Sequence, residues 1–206
     1  MESEAVSEKT EIKKRILIKP GAEKGKDSTF GLYDPQFSNH DAIYIDGYAW
    51  TILSVRAVCR SVFEFDLGFV NDNIIIDSVF LSLYAIDPEI ESIPTHEGNF
   101  GENAFQLLRI TSDWTENEVN WINQPTITYK NHKKFPKVES LYEDLLHVDI
   151  TDMTLDMLKE GKKNLGIMMK LDEEEIFSVV LFASSDYSDS TKHPELEIYY
   201  REVEIQ

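Results

Sequence analysis

An alternation of apolar and polar residues is the feature that most constrains what this chain can fold into. From Cys59 to Leu67 small or apolar residues occupy every second position, and the alternation places Val62 on the opposite, solvent side. The same two-residue period recurs in five further segments, Val79–Leu83, Phe105–Thr111, Leu165–Leu171, Phe177–Ala183 and Leu196–Tyr200. Such alternation is typical of antiparallel strands with one buried face.

The alternation therefore predicts an all-β fold, an antiparallel β-sandwich. The phase of each strand also predicts which side chains lie between the two sheets. The predicted core contains Phe63, Phe65, Leu81, Leu83, Ile167 and Leu196.

Residues 43–50 read as a β-hairpin with a two-residue turn. Asp46-Gly47 is the expected turn, because both residues tolerate the positive φ angles of a type I′ turn. The resulting pairing puts four apolar side chains on one buried face and turns Tyr44 the other way. These four are Ile43, Ile45, Tyr48 and Trp50.

One short helix is predicted over residues 151–160. Asp149 or Thr151 is a suitable N-cap, and Gly161 is a suitable stop at the C-terminal end. The helix would cover one end of the sandwich with its apolar stripe, formed by Met153, Met157 and Leu158.

The domain organisation is simple. Residues 1–11 are expected to form a disordered acidic tail, and residues 12–206 a single β-sandwich domain without repeats or linkers. Residues 1–14 lack the apolar stretch of a signal peptide. No apolar run approaches the roughly 18 residues of a membrane-spanning helix, so no membrane insertion is expected.

The charge of the chain restricts its partners. Twenty Lys and Arg residues against 38 Asp and Glu residues give a net charge of −18. A field of this sign repels nucleic acid, and it also disfavours a polyanionic sugar unless a bound metal reverses the local charge. The single cysteine, Cys59, excludes a disulfide framework.

No catalytic pattern is present in the sequence. The five histidines lack metal-ligand spacing such as HExxH, and glycine-rich phosphate loops are absent. Accidental carboxylate pairs are unavoidable among 38 acidic residues, so their number does not indicate hydrolysis. The sequence predicts a protein that is not an enzyme.

Several segments, taken in order, resemble one known family. The most specific is Asp113-Trp114-Thr115-Glu116 followed by Val119–Pro125. The others are Ile18–Asp27, Arg60–Leu67, Val148–Thr151, Asn164–Ile167, Ser184–Asp186 and His193–Leu196. In order and spacing these segments resemble the DNRLRE domain, also treated as a carbohydrate-binding module family (CBM96-like).

The resemblance spans residues 16–200 and implies a sandwich of jelly-roll type. Such domains are often appended to polysaccharide-degrading enzymes or found in surface proteins, and several members bind uronic-acid-type or other polysaccharides. Residues 29–56 and 85–104 match nothing in the family pattern. Since folds host unrelated functions, the resemblance alone does not establish a ligand.

The residues of the shared motifs are predicted to be structural. Trp114 and Trp121 either stack on a sugar ring or lie in the core, where Glu116 and Asn120 would bind loop backbone. The structural reading is favoured, with Asp66 and Asp149 as loop braces or partners of Arg60. The full structural set is Arg60, Asp66, Asp113, Trp114, Glu116, Trp121 and Pro125.

Two sets of candidate binding residues remain. The tyrosines that alternation or loop position exposes are ligand-binding candidates, namely Tyr33, Tyr44, Tyr84 and Tyr129. A structural Ca²⁺ would need six to eight oxygen ligands, and acidic loops offer some of them. The candidate calcium ligands are Asp27, Asp186 and Asp189.

Two functions follow from these observations. The first is a non-catalytic module that recognises a polysaccharide at a surface. The alternative is a structural or interaction protein of an extracellular, spore, phage or cell-wall assembly, whose partner is another protein of that assembly. Both hypotheses place the protein outside the cell or at a cell or spore surface.

Overall fold

A computed structural model describes residues 9–86, 101–140, 142–159 and 164–205. The strands are β1 (Lys9–Ile18), β2 (Lys26–Gly31), β3 (Ser38–Asn39), β4 (Tyr44–Ile52), β5 (Val55–Glu64), β6 (Ile74–Leu83), β7 (Phe105–Ile110), β8 (Ile127–Phe135), β9 (Leu145–Asp149), β10 (Ile167–Leu171), β11 (Ser178–Ala183) and β12 (Glu195–Ile205). A single α-helix, α1 (Thr151–Lys159), lies among the described residues.

The strands form two antiparallel sheets, which confirms the predicted all-β sandwich. The smaller sheet has the order β1-β12-β6-β9. The larger sheet follows β11-β4-β5-β10-β7-β8, with β2 paired to β5 and β3 paired to β2. All six segments with a two-residue period contribute to strands.

Strand β5 pairs with three other strands of the larger sheet, β4, β10 and β2. One edge of β5 pairs first with β4, through Arg60, and then with β10, from Ser61 onward. The other edge pairs with β2. Beyond this point β4 and β10 continue with different neighbours, and the ring of Phe182 on β11 lies 5.9 Å from that of Phe105 on β7. The larger sheet therefore folds towards itself around a shared core.

The predicted core is confirmed, because all six side chains named from the alternation are buried. They belong to one large apolar cluster that both sheets contribute to. The solvent-side prediction for Val62 is wrong. Val62 is fully buried in a second cluster with Phe30 and Met168, because the loop that carries Trp114 and Val119 covers this face of the sheet.

The predicted hairpin turn at Asp46-Gly47 is wrong. Strand β4 runs straight through both residues, and the turn lies at Leu53-Ser54, where Ile52 pairs with Val55. Gly47 allows β4 to pack closely against Leu171, since a Cβ atom at this position would lie 2.9 Å from the backbone nitrogen of Leu171. Without the predicted pairing, the four apolar residues do not share one face: Ile45 joins the large cluster, while Ile43 and Tyr48 pack against another.

The predicted helix is confirmed as α1. Met153 and Met157 are buried, and Leu158 packs against the large cluster. The carboxylate of Asp149 accepts a hydrogen bond from the backbone N–H of Thr151 at 2.9 Å. The predicted stop at Gly161 lies outside the described residues.

The predicted disordered tail of residues 1–11 extends too far along the chain. Strand β1 begins at Lys9 and pairs with β12, so residues 9–11 belong to the sheet. Residues 1–8 of the predicted tail lie outside the described residues. Within the part of the chain that the structure describes, no helix is long and apolar enough to cross a membrane.

Candidate functional site

The loop of residues 113–125 covers one face of the larger sheet. The ring N–H of Trp114 donates a hydrogen bond to the backbone carbonyl of Leu165 at 2.8 Å. The carboxylate of Glu116 accepts one from the backbone N–H of Asp27 at 2.9 Å. These bonds tie the loop to two distant segments of the chain, which is the arrangement of a structural brace.

The rest of this loop is closed by its own side chains. The Oδ1 atom of Asn120 accepts hydrogen bonds from the backbone N–H groups of Ile122 and Asn123. Trp121 lies in this turn, where the side chain of Asn123 accepts a hydrogen bond from the backbone N–H of Asn120. Pro125 is buried at the end of the loop and Asp113 is exposed near its start.

Cations lie over both tryptophans of the loop. The ammonium group of Lys26 is 4.0 Å from the centre of the Trp114 ring, and the guanidinium of Arg60 is 4.5 Å from that of Trp121. Each tryptophan also packs against buried apolar residues. A sugar needs a free ring face for stacking, so this arrangement favours a structural role for the two tryptophans.

Arg60 has a different partner from the predicted ones. Its guanidinium forms two hydrogen bonds with the carboxylate of Glu174, at 2.7 and 3.0 Å, and a third with the side chain of Gln124 at 2.7 Å. Asp66 instead accepts a hydrogen bond from the backbone N–H of Gly68 at 2.8 Å. Asp66, like Asp149 at the start of α1, therefore holds local backbone.

Two of the four candidate tyrosines, Tyr44 and Tyr84, are brought together beside Ala183, while Tyr33 and Tyr129 lie elsewhere in the fold. Tyr33 follows β2 and is 42% exposed. Tyr44 begins β4 and pairs with Ala183, whose N–H donates to the carbonyl of Tyr84. The ammonium group of Lys19 lies 4.4 Å from the centre of the Tyr84 ring. Tyr129 lies on β8, which three strands separate from β4 in the sheet, and is 56% exposed.

Tyr129 projects from a large bulge in β8. On one side of the bulge Thr128 pairs with Arg109, and on the other Lys133 pairs with Leu107. Residues 129–132 therefore stand opposite the single residue Leu108, and Asn131 has a positive φ of 56°. Bulges of this kind redirect side chains and are common beside binding sites.

The bulge is fixed to helix α1. The carboxylate of Asp156 accepts hydrogen bonds from Lys130 at 3.0 Å and from the side-chain amide of Asn131 at 2.9 Å. The pKa of Asp156 is lowered, mainly by the hydrogen bond from Lys130 and also by the charge of Arg109. The rings of Tyr129 and His132 meet edge to face at 5.6 Å. The bulge thus presents the two aromatic rings beside polar side chains, and its hydrogen bonds to Asp156 hold it in place.

The sequence of the chain matches one known protein family. The model of carbohydrate-binding module family 96 matches residues 38–200, which is more than three quarters of the chain. The chain belongs to this family. A search among curated proteins found no match.

The family match refines the resemblance seen in the sequence. It contains the Asp113–Glu116 motif and the β8 bulge, and it also contains most of residues 29–56 and 85–104, which show none of the family's motifs. It begins at residue 38, so Ile18–Asp27 lies outside it. The bulge is therefore part of the family module, while Lys26 is a feature outside the matched range.

Alternation alone did not identify several residues at the bulge of this module. Lys130, Asn131 and Asp156 look like ordinary surface residues in the sequence, although a lysine-rich edge strand was a visible signal. Arg109 is only 6% exposed, and its Nε atom has no hydrogen-bond partner among the described residues. Its positive charge lies next to the bulge, close enough to lower the pKa of Asp156.

Asp46, which the sequence suggested only as a turn residue, has an unusual environment in the structure. It is buried on β4, where Ser61 donates a hydrogen bond to its carboxylate at 3.0 Å. Thr29 lies 2.7 Å from the same Ser61 hydroxyl. Burial raises the pKa of Asp46 to about 7. Asp46 lies in a polar core cluster of the module and is remote from β8 in the strand order.

Two of the three candidate calcium ligands, Asp27 and Asp189, are engaged by protein groups. Asp27 is buried and accepts hydrogen bonds from Ser185, and burial raises its pKa to about 6. Asp189 accepts from the backbone and side chain of Thr191. Asp186 is half-buried, and burial raises its pKa. Among the described residues no group of three or more His, Cys, Asp or Glu side chains is placed to hold a metal ion.

Calcium binding by the module therefore stays a prediction, which chelation tests. A metal that binds only the folded state raises the melting temperature by mass action. If Ca²⁺ is bound near Asp27 or residues 186–189, adding a chelator will lower the melting temperature and re-adding Ca²⁺ will restore it. Identical melting curves with chelator and with excess Ca²⁺ would contradict the prediction.

Proposed function

We propose that this protein is a non-catalytic module that recognises a polysaccharide at a surface, and that the β8 bulge is its binding site. The observation that carries this proposal is the exposed ring of Tyr129 on a bulge that Asp156 fixes to the helix. Membership of a carbohydrate-binding module family supports the class of ligand.

The chemistry of the bulge suits a sugar. The C–H face of a pyranose packs on an aromatic ring. Tyr129 offers such a ring, because more than half of the residue is exposed to solvent. Lys130, Asn131 and His132 supply hydrogen-bonding groups for hydroxyls next to this ring. Since the bulge is already held in shape, it would lose little conformational entropy when a sugar binds.

The proposed module binds without catalysing a reaction, and it acts outside the cell or at a surface. Neither the bulge nor the Asp113–Pro125 loop contains a nucleophile paired with a base, so the proposed role is binding alone. Modules of this family serve polysaccharide recognition, which supports a location outside the cell or at a cell or spore surface.

Replacing Tyr129 with alanine is expected to weaken glycan binding about tenfold or more, equivalent to about 1.4 kcal/mol. The melting temperature should stay within a degree or two, because an exposed side chain contributes little to stability. Binding is measured by isothermal titration with a glycan first identified on an array, and stability by thermal unfolding.

Tyr33→Ala is the matched control, since Tyr33 is also an exposed tyrosine but lies after β2, away from β8. Its affinity for the same glycan should equal that of the parent. If Tyr33→Ala abolishes binding while Tyr129→Ala does not, the site lies elsewhere and the assignment to the bulge is wrong.

The alternative role as a structural or interaction protein has its own supporting observation. The hairpin that joins β4 to β5 exposes several large apolar side chains. Exposed apolar clusters of this kind often mark contacts between proteins.

A further inference from the structure

The outer face of the smaller sheet carries a group of aromatic and charged side chains. Along β6 and β12 the residues that join the large apolar cluster alternate with residues that point away from it. Those that point away include Phe80 on β6 and Glu197 and Tyr199 on β12. Arg15 on β1 and His147 on β9 flank them, so the group reaches across all four strands. These five residues are here called the outer-face cluster.

The three rings of the outer-face cluster form a row across the sheet. The Phe80 ring lies 6.3 Å from that of Tyr199, at an angle of 82°, and 5.7 Å from that of His147. Both outer members of the row are accessible, because Tyr199 is 39% exposed and the side chain of His147 is 66% exposed. The row crosses three neighbouring strands, a distance of about 10 Å, which is close to the length of a disaccharide.

A nearly buried carboxylate holds the Tyr199 ring in place. The side chain of Glu197 is only 5% exposed, although it lies on the outer face of the sheet. It accepts a hydrogen bond from the hydroxyl of Tyr199 at 2.7 Å and another from the guanidinium of Arg15. The bond from Tyr199 and then that from Arg15 lower the pKa of Glu197. Since Tyr199 is only two residues further along β12, the bond to its hydroxyl keeps the ring along the strand.

The backbone of β9 is distorted where it presents His147. A shift in register leaves residues 146 and 147 opposite the single residue Ser82, whose hydroxyl accepts a hydrogen bond from the backbone N–H of His147 at 3.1 Å. The φ angle of His147 is 53°, a left-handed conformation that costs free energy in residues other than glycine. Strain of this kind is concentrated at functional sites. The chain thus keeps an unfavourable backbone that brings the His147 ring next to Phe80.

We propose that the outer-face cluster is a second carbohydrate-binding site, separate from the β8 bulge, and that it takes a neutral polysaccharide with β-1,4 linkages. The class of ligand rests on the proposed function, whereas the location rests on the outer-face cluster alone. The β8 bulge belongs to the larger sheet and the cluster to the smaller one. Two sites in different sheets would allow one module to hold two stretches of a polymer at once.

The rings of the cluster suit a flat sugar chain. A β-1,4-linked chain is ribbon-like and offers C–H groups on both of its faces, and such faces pack on aromatic rings. The guanidinium carbon of Arg15 is 6.0 Å from the centre of the Tyr199 ring, which is further away than the cations that lie over the two tryptophans. The Tyr199 ring therefore keeps a face that a sugar can reach.

The charges of the cluster favour a sugar without charge. Arg15 and Glu197 neutralise each other, so the cluster offers no unpaired cation to a carboxylate or sulfate group. The net charge of −18 on the chain also repels an acidic polymer. The side chain of Arg15 is still 56% exposed, and its guanidinium has more donors than its bond to Glu197 uses. It can therefore donate hydrogen bonds to sugar hydroxyls beside Tyr199.

Titration of the full ¹⁵N-labelled chain with cellohexaose, mannohexaose and xylohexaose, followed through the amide chemical shifts, tests this inference. At least one of these sugars should shift the amides of residues 78–82 and 195–199, with a dissociation constant of about 0.1–1 mM. Tyr199→Ala should raise that constant about tenfold or more. Tyr33→Ala is the matched control, because Tyr33 is similarly exposed but follows β2 in the larger sheet, and it should bind like the parent.

His147→Gly is a second variant that removes a ring and leaves the backbone as it is. Glycine adopts a positive φ without strain, so the melting temperature should not fall. Binding of the same hexasaccharide should weaken about threefold or more, because the row of rings is shortened at β9. A folded His147→Gly variant and a folded Tyr199→Ala variant that both bind like the parent would contradict the site.

Tyr129→Ala separates this site from the one at the β8 bulge. In this variant the hexasaccharide should shift the amides of the smaller sheet as it does in the parent. If sugars shift only the amides of residues 128–133, the second site is wrong and the proposed function stands. If the smaller sheet responds but no glycan that binds the parent depends on Tyr129, the second site stands and the bulge is wrongly assigned. No response of the smaller sheet to any of the hexasaccharides would overturn the inference and favour a protein contact at this face.

Discussion

The Phe105→Ala variant is expected to unfold with a free energy about 3–5 kcal/mol lower than that of the parent. The Phe105 ring is fully buried, stacks on Phe135 at 4.6 Å and lies 5.9 Å from Phe182. Removing it leaves a cavity where the two parts of the larger sheet face each other, and surrounding side chains fill such cavities only partly.

Urea denaturation measures this effect as a lower midpoint with an unchanged slope. Phe37→Ala is the control, because Phe37 is exposed and its loss should change the free energy of unfolding by no more than about 0.5 kcal/mol. Equal effects of the two substitutions would mean that the faces of β7 are assigned wrongly.

The second large effect is a loss of stability as the pH rises from about 5 to about 8. Asp46 has a pKa raised to about 7 and Asp27 one raised to about 6, both because burial disfavours the charged form. Both groups are therefore protonated in the folded protein at pH 5, while in the unfolded chain they are ionised there.

The sign of the effect follows from which state binds more protons. Between the unfolded and folded pKa values the folded state holds the extra protons, so each rise in pH favours unfolding. The stabilisation is complete below about pH 4 and is lost once the pH exceeds about 7. Since one pKa unit corresponds to about 1.4 kcal/mol, Asp46 alone can account for about 2–3 kcal/mol between pH 5 and pH 8.

The free energy of unfolding of the parent and of Asp46→Asn, measured at both pH values, isolates this contribution. The amide has nearly the shape of the carboxylic acid but does not ionise, so the variant should lose about 2–3 kcal/mol less than the parent across the interval. Asp72→Asn, at an exposed position in the turn after β5, should behave like the parent. Identical pH dependence of Asp46→Asn and the parent would contradict the protonated state of Asp46.

Much of the fold could be predicted from the sequence because alternation reports which face of a strand is buried. Phe63, Leu81 and Ile167 were placed in the core correctly, as was the apolar stripe of α1. Val62 was not, because alternation cannot show that a loop far along the chain covers the outer face of a sheet.

The hairpin error has a similar cause. Asp46-Gly47 is a strong local turn signal, but β11 and β5 pair with β4 on both sides and hold these residues in a strand. Gly47 is required there by the close approach of Leu171. The real turn, at Leu53-Ser54, carries no turn signal at all, so no local rule could have found it.

The candidate site was predictable only in part. The spacing of apolar residues suggested that Tyr129 is exposed, but the four-residue bulge depends on contacts with Asp156, which is 27 positions away. The protonated state of Asp46 likewise depends on its burial with Ser61 and Thr29 from other strands. Such features arise from tertiary packing and leave no local pattern.

The pairing of β1 with β12 determines how this module would respond to a pulling force. The two strands are antiparallel neighbours from Lys9 opposite Ile205 to Ile18 opposite Leu196, so the chain enters and leaves the sandwich side by side. Tension applied to those two ends would load the hydrogen bonds of this ladder one after another, as in opening a zipper. A module anchored through both ends would therefore open at a low force from the edge of the smaller sheet, whereas β8 lies in the other sheet and is not part of this ladder.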